Sequence, residues 1–300
     1  MTVDDRQRDA EARLTEQVIA SFDNTPDPRL REVLQSMVSH LHAFIRDVRL
    51  TEQEWEQAIR FLTRAGEITD DRRQEFILAS DVLGASMMTI MVNNPLRADA
   101  TEATVFGPFF LDNSPEIALG DTLPGSEGGV PCFITGRVRS VTGEPIAGAR
   151  IEVWQSDDDG FYDVQYDDER VSGRAHLFSD ADGHYTFWGV RPTPYPIPHD
   201  GPVGELLEAT GRSPMRSAHI HFMVEAAGYR TLVTHIFDSE DPQLVSDAVF
   251  GIRPSLILDF VEHPAGTPAP DGGIPSGEWA SVTFDIVLPP QDDDAPLIDH

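Results

Sequence analysis

The period of the hydrophobic pattern changes partway along this 300-residue chain, and that change restricts the fold more than any other feature. Through the first hundred residues apolar positions recur in three- and four-residue steps, the period of a helix. Leu30, Val33, Leu34, Met37, Val38, Leu41, Phe44, Ile45 and Val48 form one amphipathic stripe. Thr51 followed by Glu54 has the spacing of a capping box, and Trp55, Ile59 and Leu62 continue a helix behind it. A third helix is predicted from about Arg72 to Val92, closed by Asn93, Asn94 and Pro95. Its core, FILASDVLGASMMTIMV, is apolar nearly all round and should be buried on most sides. Asp81 is the odd residue there, a carboxylate that is either paired structurally or directed into a site.

Beyond residue 104 the period is two. FITGRVR (133–139), ARIEVWQ (149–155), AHIHFMVE (218–225), TLVTHIF (231–237) and SVTFDIV (281–287) read as strands. Turn signals separate them: Thr142 to Pro145, Asp180 to Gly183, and the Pro/Gly-rich run 264–277. No βαβ repeat is visible, so the expected fold is an all-β sandwich catalytic domain, residues 105–300, behind an α-helical N-terminal domain, residues 1–104. Residues 191–217 form a long connection stiffened by Pro192, Pro194, Pro196, Pro198 and Pro202, with at most one helical turn at Leu206 to Thr210, and a connection of that length suggests function. The closing QDDDAPLIDH reads as a solvated acidic tail.

Composition excludes several chemistries. The formal net charge of −29 argues against a nucleic-acid backbone or an anionic membrane surface as partner. All 22 basic residues are arginine, so Schiff-base, Walker A and kinase lysine chemistry are absent. The single cysteine, Cys132, excludes an intrachain disulfide, a four-cysteine zinc site and an iron–sulfur cluster. The polar N-terminus shows no apolar signal region, and no stretch approaches the roughly 20 apolar residues of a membrane helix. These features lead us to expect a cytoplasmic protein.

The chemistry concentrates at His219 and His221. Two apart on a strand, they point to one face while Ala218, Ile220, Phe222 and Val224 point to the core. Two such imidazoles can share a metal ion; the alternative is a solvated edge with incidental histidines. His235, on the next strand, raises the first possibility, and three histidines would suit zinc. Of five tyrosines, Tyr162 sits in the acidic loop DDDGFYDVQYDD and Tyr195 in the proline-stiffened loop. Tyr166, Tyr185 and Tyr229 read as loop aromatics capping the core.

The series GFYDVQYDD, PTPYPIPHDGPVGELLEATG, RSAHIHF and LVTHIF resembles the intradiol ring-cleaving dioxygenases over roughly residues 20–290. VFGPFF (105–110) and His235 resemble the hydroxyquinol-cleaving branch; catechol-cleaving members typically carry glutamine at the latter position. The resemblance implies Tyr162, Tyr195, His219 and His221 as ligands of a non-haem Fe(III), with Tyr195 and His221 axial. It also implies Arg216 beside the substrate ring, Tyr195 as a proton acceptor, and His235 hydrogen-bonded behind the ligands, which weakens the zinc reading. Positions matching the family's pocket are Leu78, Asp81, Val105, Phe106, Gly107, Pro108, Phe109, Ile197, Pro198 and Val249. The expected substrates are O2 and an aromatic 1,2-diol or triol, opened with both oxygen atoms entering a muconate. Asp81 could accept a hydrogen bond from a third ring hydroxyl and so favour hydroxyquinol over catechol or chlorocatechol. A homodimer joined through the N-terminal helices, with a phospholipid between them, is also implied. Two other readings remain open. One is the three-histidine zinc enzyme; the other is a non-enzymatic transthyretin-like module, suggested by the similarity of 143–153 and DADGHYTF (180–187) to such domains.

Overall fold

The computed structural model describes residues 3–70, 72–126, 128–168 and 170–291, so the expected acidic tail lies, beyond Gln291, outside the described residues. The chain forms two compact units, 1–64 and 65–300. The helices are α1 (Val3–Ala20), α2 (Pro28–Val48), α3 (Glu52–Glu67), α4 (Glu75–Val82), α5 (Ala85–Asn93) and, late in the chain, α6 (Pro202–Ala209). Asp27 caps α2 by accepting the Arg29 and Leu30 amides, as a short side chain before a proline at N1 should. The capping box ahead of α3 is present: Glu54 accepts the Thr51 amide at 2.8 Å and Thr51 Oγ1 accepts that of Glu54 at 3.2 Å. Gln35, whose Nε2 donates to Ile19 O, and Arg46, which donates to Thr15 Oγ1, lace α2 to α1.

The third helix is not continuous. It breaks at Leu83 and Gly84 into α4 and α5, which meet at a 75° bend. Gly84 makes the break, since its φ of +71° belongs to a region that other residues enter at a cost. The second unit therefore contains α4 and α5 together with the sandwich. No single helix among the described residues is long and apolar enough to cross a membrane.

The strands are β1 (Pro131–Ser140), β2 (Arg150–Trp154), β3 (Arg174–Phe178), β4 (His184–Val190), β5 (Tyr195–Pro196), β6 (Met215–Arg216), β7 (His219–Glu225), β8 (Leu232–Asp238), β9 (Ile257–Leu258), β10 (Val261–His263), β11 (Trp279–Thr283) and β12 (Ile286–Leu288). One sheet runs β10-β11-β1-β12 with β4 also on β1; the other runs β3-β2-β7-β8-β9. The segment 281–287 is not one strand. Phe284 and Asp285 interrupt it, and Asp285 Oδ1 accepts the Arg137 amide that the interrupted ladder leaves over. Between the sheets lies one core, to which Ile134, Phe187 and Ile286 contribute from the first and Ile151, Leu177, Ile220, Phe222 and Ile236 from the second. Tyr185 belongs to this core rather than to a loop: it sits in β4, wholly buried, and its hydroxyl donates to Phe284 O at 2.6 Å. Because Ile220, Phe222 and Val224 face that core, period two turns His219 and His221 to the opposite face of the second sheet.

Candidate metal centre and active site

Sheet register builds the centre of the site. Trp154 of β2 pairs with His221 of β7, and His221 pairs with His235 of β8, so three rings form a row across the sheet. Trp154 stacks on His221 with centroids 4.6 Å apart and planes 17° apart, and His235 meets its other side edge-on at 4.1 Å. Gly107 also packs against this ring. A Cβ there would stand 3.1 Å from His221 Cε1, and its φ of +80° is one that glycine adopts without strain.

Two loops bring the phenols. Tyr162 precedes a single 3-10 turn (Asp163–Gln165), and Gln165 Oε1 accepts its amide at 2.9 Å. Phe109 stacks on its ring at 4.7 Å. Tyr195 lies in the short β5–β6 ribbon directly opposite Arg216. The loops touch at Gly160, where a Cβ would come within 2.7 Å of Tyr195 Cβ. The proline-rich connection thus contains this ribbon and the two-turn helix α6, more structure than the single turn expected from its sequence.

The four side chains converge. Tyr162 Oη lies 3.1 Å from Tyr195 Oη, 3.4 Å from His219 Nε2 and 3.0 Å from His221 Nε2. His219 Nε2 lies 3.3 Å from Tyr195 Oη and 3.1 Å from His221 Nε2. Ligands held about 2.0–2.1 Å from one ion stand roughly 2.9–3.4 Å from one another when adjacent, so these separations match the edges of a coordination polyhedron. The proton positions agree. His219 Nδ1 lies 2.6 Å from Ser217 O, an acceptor only, so Nδ1 carries the proton and Nε2 presents its lone pair inward. His235 Nε2, 2.7 Å from His221 Nδ1, can fix the second imidazole the same way. With that nitrogen engaged, His235 stands behind His221 rather than beside the phenols, although the three histidines lie close enough, within 4.8 Å, to suggest a triad.

The electrostatics favour neutral rings. Burial, reinforced by the Arg216 charge, lowers the His219 pKa to about 3, and burial, with the neighbouring imidazoles competing for protons and the Arg216 charge, lowers those of His221 and His235 well below the ordinary value. Burial raises both phenols, and the proximity of Tyr195 raises Tyr162 further. Burial opposes the Arg216 charge, but Asp247 and the phenols outweigh it, and Asp247 accepts Arg216 Nε at 3.1 Å. Arg216 Nη2 is buried without a hydrogen-bond partner among the described residues. Four lone-pair donors and a spare guanidinium nitrogen suit a hard cation with an oxygen-rich ligand.

The expected pocket residues divide into two groups. Leu78, Pro108, Phe109, Ile197 and Pro198 line one cleft of about 540 Å³, with Arg72, Arg73, Phe161 and His199 also on its walls. Val105 and Val249 are buried, and Phe106 packs on Phe110 and Trp154. Asp81 is buried in α4, hydrogen-bonded to Ser86 and within the fields of Arg216 and Asp247; burial is the main reason its pKa is raised. Sequence reading missed Trp154, Gly160 and Asp247. A tryptophan closing a strand was a usable signal for the first; the loop position of Asp247 gave none.

A two-sheet scaffold with phenols and imidazoles gathered on an outer face, behind N-terminal helices, has clear counterparts. Residues 27–101 match the catechol dioxygenase N terminus, and residues 105–290 match the dioxygenase domain that follows it. The chain belongs to the intradiol ring-cleavage dioxygenases. Over 283 residues, 94% of each chain, it is 64% identical to the hydroxyquinol 1,2-dioxygenase of Rhodococcus opacus. It is 60% identical to that of Nocardioides simplex, across 95% of this chain and 97% of the relative. The crystal structure of hydroxyquinol 1,2-dioxygenase from Pseudomonas putida DLL-E4 superposes with a TM-score of 0.87 at 43% identity, covering 95% of this chain and all of that one.

Proposed function

We propose that the protein is a hydroxyquinol 1,2-dioxygenase holding one non-haem Fe(III) on Tyr162, Tyr195, His219 and His221. It opens 1,2,4-trihydroxybenzene between the carbons bearing the 1- and 2-hydroxyls to give 3-hydroxy-cis,cis-muconate, a tautomer of maleylacetate. The observation that carries the metal assignment is the four-donor set with edges of 3.0–3.4 Å. Relatives of that activity at 57% to 64% identity support the substrate. Two phenolates favour the ferric over the ferrous ion.

When bound, Fe(III) supplies the Lewis acidity that lets a ring diol bind as its dianion and primes the ring for O2. This chain's residues do the rest. Tyr195 Oη, carried on a loop rather than wedged in a long strand, takes one substrate proton. Arg216 Nη2 sets a fixed positive charge beside the ring carbon on which negative charge develops. His235 is a positioning residue that holds His221 with its lone pair inward, and Trp154 and Gly107 fix the plane of that ring. Leu78, Pro108, Phe109, Ile197 and Pro198 form the walls for a flat ring, with Val105, Phe106, Gly107 and Val249 completing the enclosure. Asp81 meets the third hydroxyl, and burial holds its carboxyl above the usual carboxylate range.

The same reading includes a cytoplasmic homodimer joined through helices of residues 1–104, with a phospholipid between them. Exposed Leu30, Met37, Leu41 and Phe44 on α2, and Trp55 and Ile59 on α3, support such an interface. Turnover of hydroxyquinol under ¹⁸O2 tests the reaction. The ring-opened product should carry two labelled atoms and form faster, in kcat/KM, than product from catechol. A single labelled atom, or an unopened ring, would overturn it.

A further inference from the structure

One turn ahead of α4 reaches both tyrosine-bearing loops. Asp70 Oδ1 accepts the amides of Arg72 and Arg73, each at 2.8 Å. From it, Arg72 Nη2 donates to the carbonyls of Val164 at 3.2 Å and Tyr166 at 2.6 Å, where the 3-10 turn after Tyr162 ends. In the other direction Arg73 Nη2 lies 2.8 Å from Asp200 Oδ1, five residues beyond Tyr195.

Glu75 completes this second arm. It is fully buried, and its two carboxylate oxygens act separately, Oε2 accepting Arg73 Nε at 3.1 Å and Oε1 accepting the Val203 amide at 2.9 Å. Helix α6 has no side-chain cap of its own at Gly201, so this carboxylate, 128 residues upstream, caps it from outside. The fit is close. A Cβ on Gly201 would come within 2.7 Å of Arg73 Nη2 and 2.8 Å of Glu75 Oε1. A buried carboxylate is costly to hold, and nothing in the reaction uses this one.

We propose that Asp70, Arg72, Arg73 and Glu75 are positioning residues: a clasp that holds the Tyr162 loop with one arm and the Tyr195 loop with the other, and so sets the separation of the two phenol oxygens. The link to the metal rests on the reading of those tyrosines as ligands. Since both arms leave one turn, loosening either is felt at both phenols.

Hydrogen exchange followed by mass spectrometry on the iron-loaded protein tests the clasp. Arg72→Ala removes a half-exposed side chain and leaves the core intact; exchange over 163–168 should quicken about tenfold, with Arg72→Lys partly restoring it. Glu75→Gln should quicken 196–206 by a similar factor, while β1 and β7 stay as protected as before. In both variants the visible phenolate-to-iron band should shift or weaken. Unchanged exchange in either loop, an unmoved band in either variant, or acceleration spread evenly over β1 and β7, would overturn the clasp. If the unaltered protein held no iron, the ligand reading would fail, yet the exchange data would still decide whether the loops are clasped.

Discussion

Acidification should destabilise the metal-free protein through three histidines. His219, His221 and His235 are buried with lowered pKa values, so they stay neutral in the folded chain while the unfolded chain titrates near 6.5. The sign follows from linkage. A base whose folded pKa lies below its unfolded value stabilises the fold above the unfolded pKa, and that stability drains away as pH falls from 6.5 towards the folded value, about 3 for His219. Between about pH 7.0 and 5.5 the unfolded chain gains protons that the fold refuses, worth about 1.2 kcal/mol per imidazole and about 4 kcal/mol for all three. Ordinary carboxylates titrate little in that window. Urea unfolding of chelator-treated protein at the two pH values, with reversibility checked, reads the difference as a midpoint lower by more than about 1 M at the acid end. A midpoint unchanged between them would mean that the three rings are not packed neutral and buried as described, and the tautomer argument for the ligands would fall with it.

Three further outcomes follow from particular contacts. Gly107→Ala forces alanine into a left-handed backbone at about 1–2 kcal/mol and drives its methyl towards His221, so melting should fall by several degrees and iron retention should drop; full iron content at an unchanged melting temperature would contradict it. Asp81→Ala should erode the preference for hydroxyquinol over catechol by about tenfold or more in relative kcat/KM, and an unchanged ratio would remove Asp81 from substrate choice. Gly160→Ala should separate the tyrosine loops and lower iron affinity, measured by competition with a chelator, because its methyl would collide with Tyr195 Cβ.

Periodicity carried much of this structure. Alternation along 218–225 was enough to turn His219 and His221 away from the core, and the core residues of β7 lie where that alternation puts them. It failed where a pattern has no phase. The run 76–92 is apolar on every side, so the break at Gly84 left no mark except the glycine itself. Strands β3 and β4 went unread because polar residues at the positions turned away from the core, such as His176 and Thr186, dilute the apolar signal. The tyrosines were legible only through resemblance, since two phenols 33 residues apart meet by loop geometry that no local pattern encodes. Trp154 beside His221, and Glu75 beneath α6, depend on strand register and on tertiary packing, which the sequence states nowhere directly.

The visible spectrum of the purified protein, taken with its metal content, tests the central assignment most directly. Two phenolates on Fe(III) give a red-brown solution with a broad visible absorption, about one iron per chain, and a band that moves when hydroxyquinol is added without oxygen. A colourless protein that is fully folded and carries zinc would contradict the assignment of Tyr162 and Tyr195 as ligands, and with it the oxygen chemistry proposed for this site.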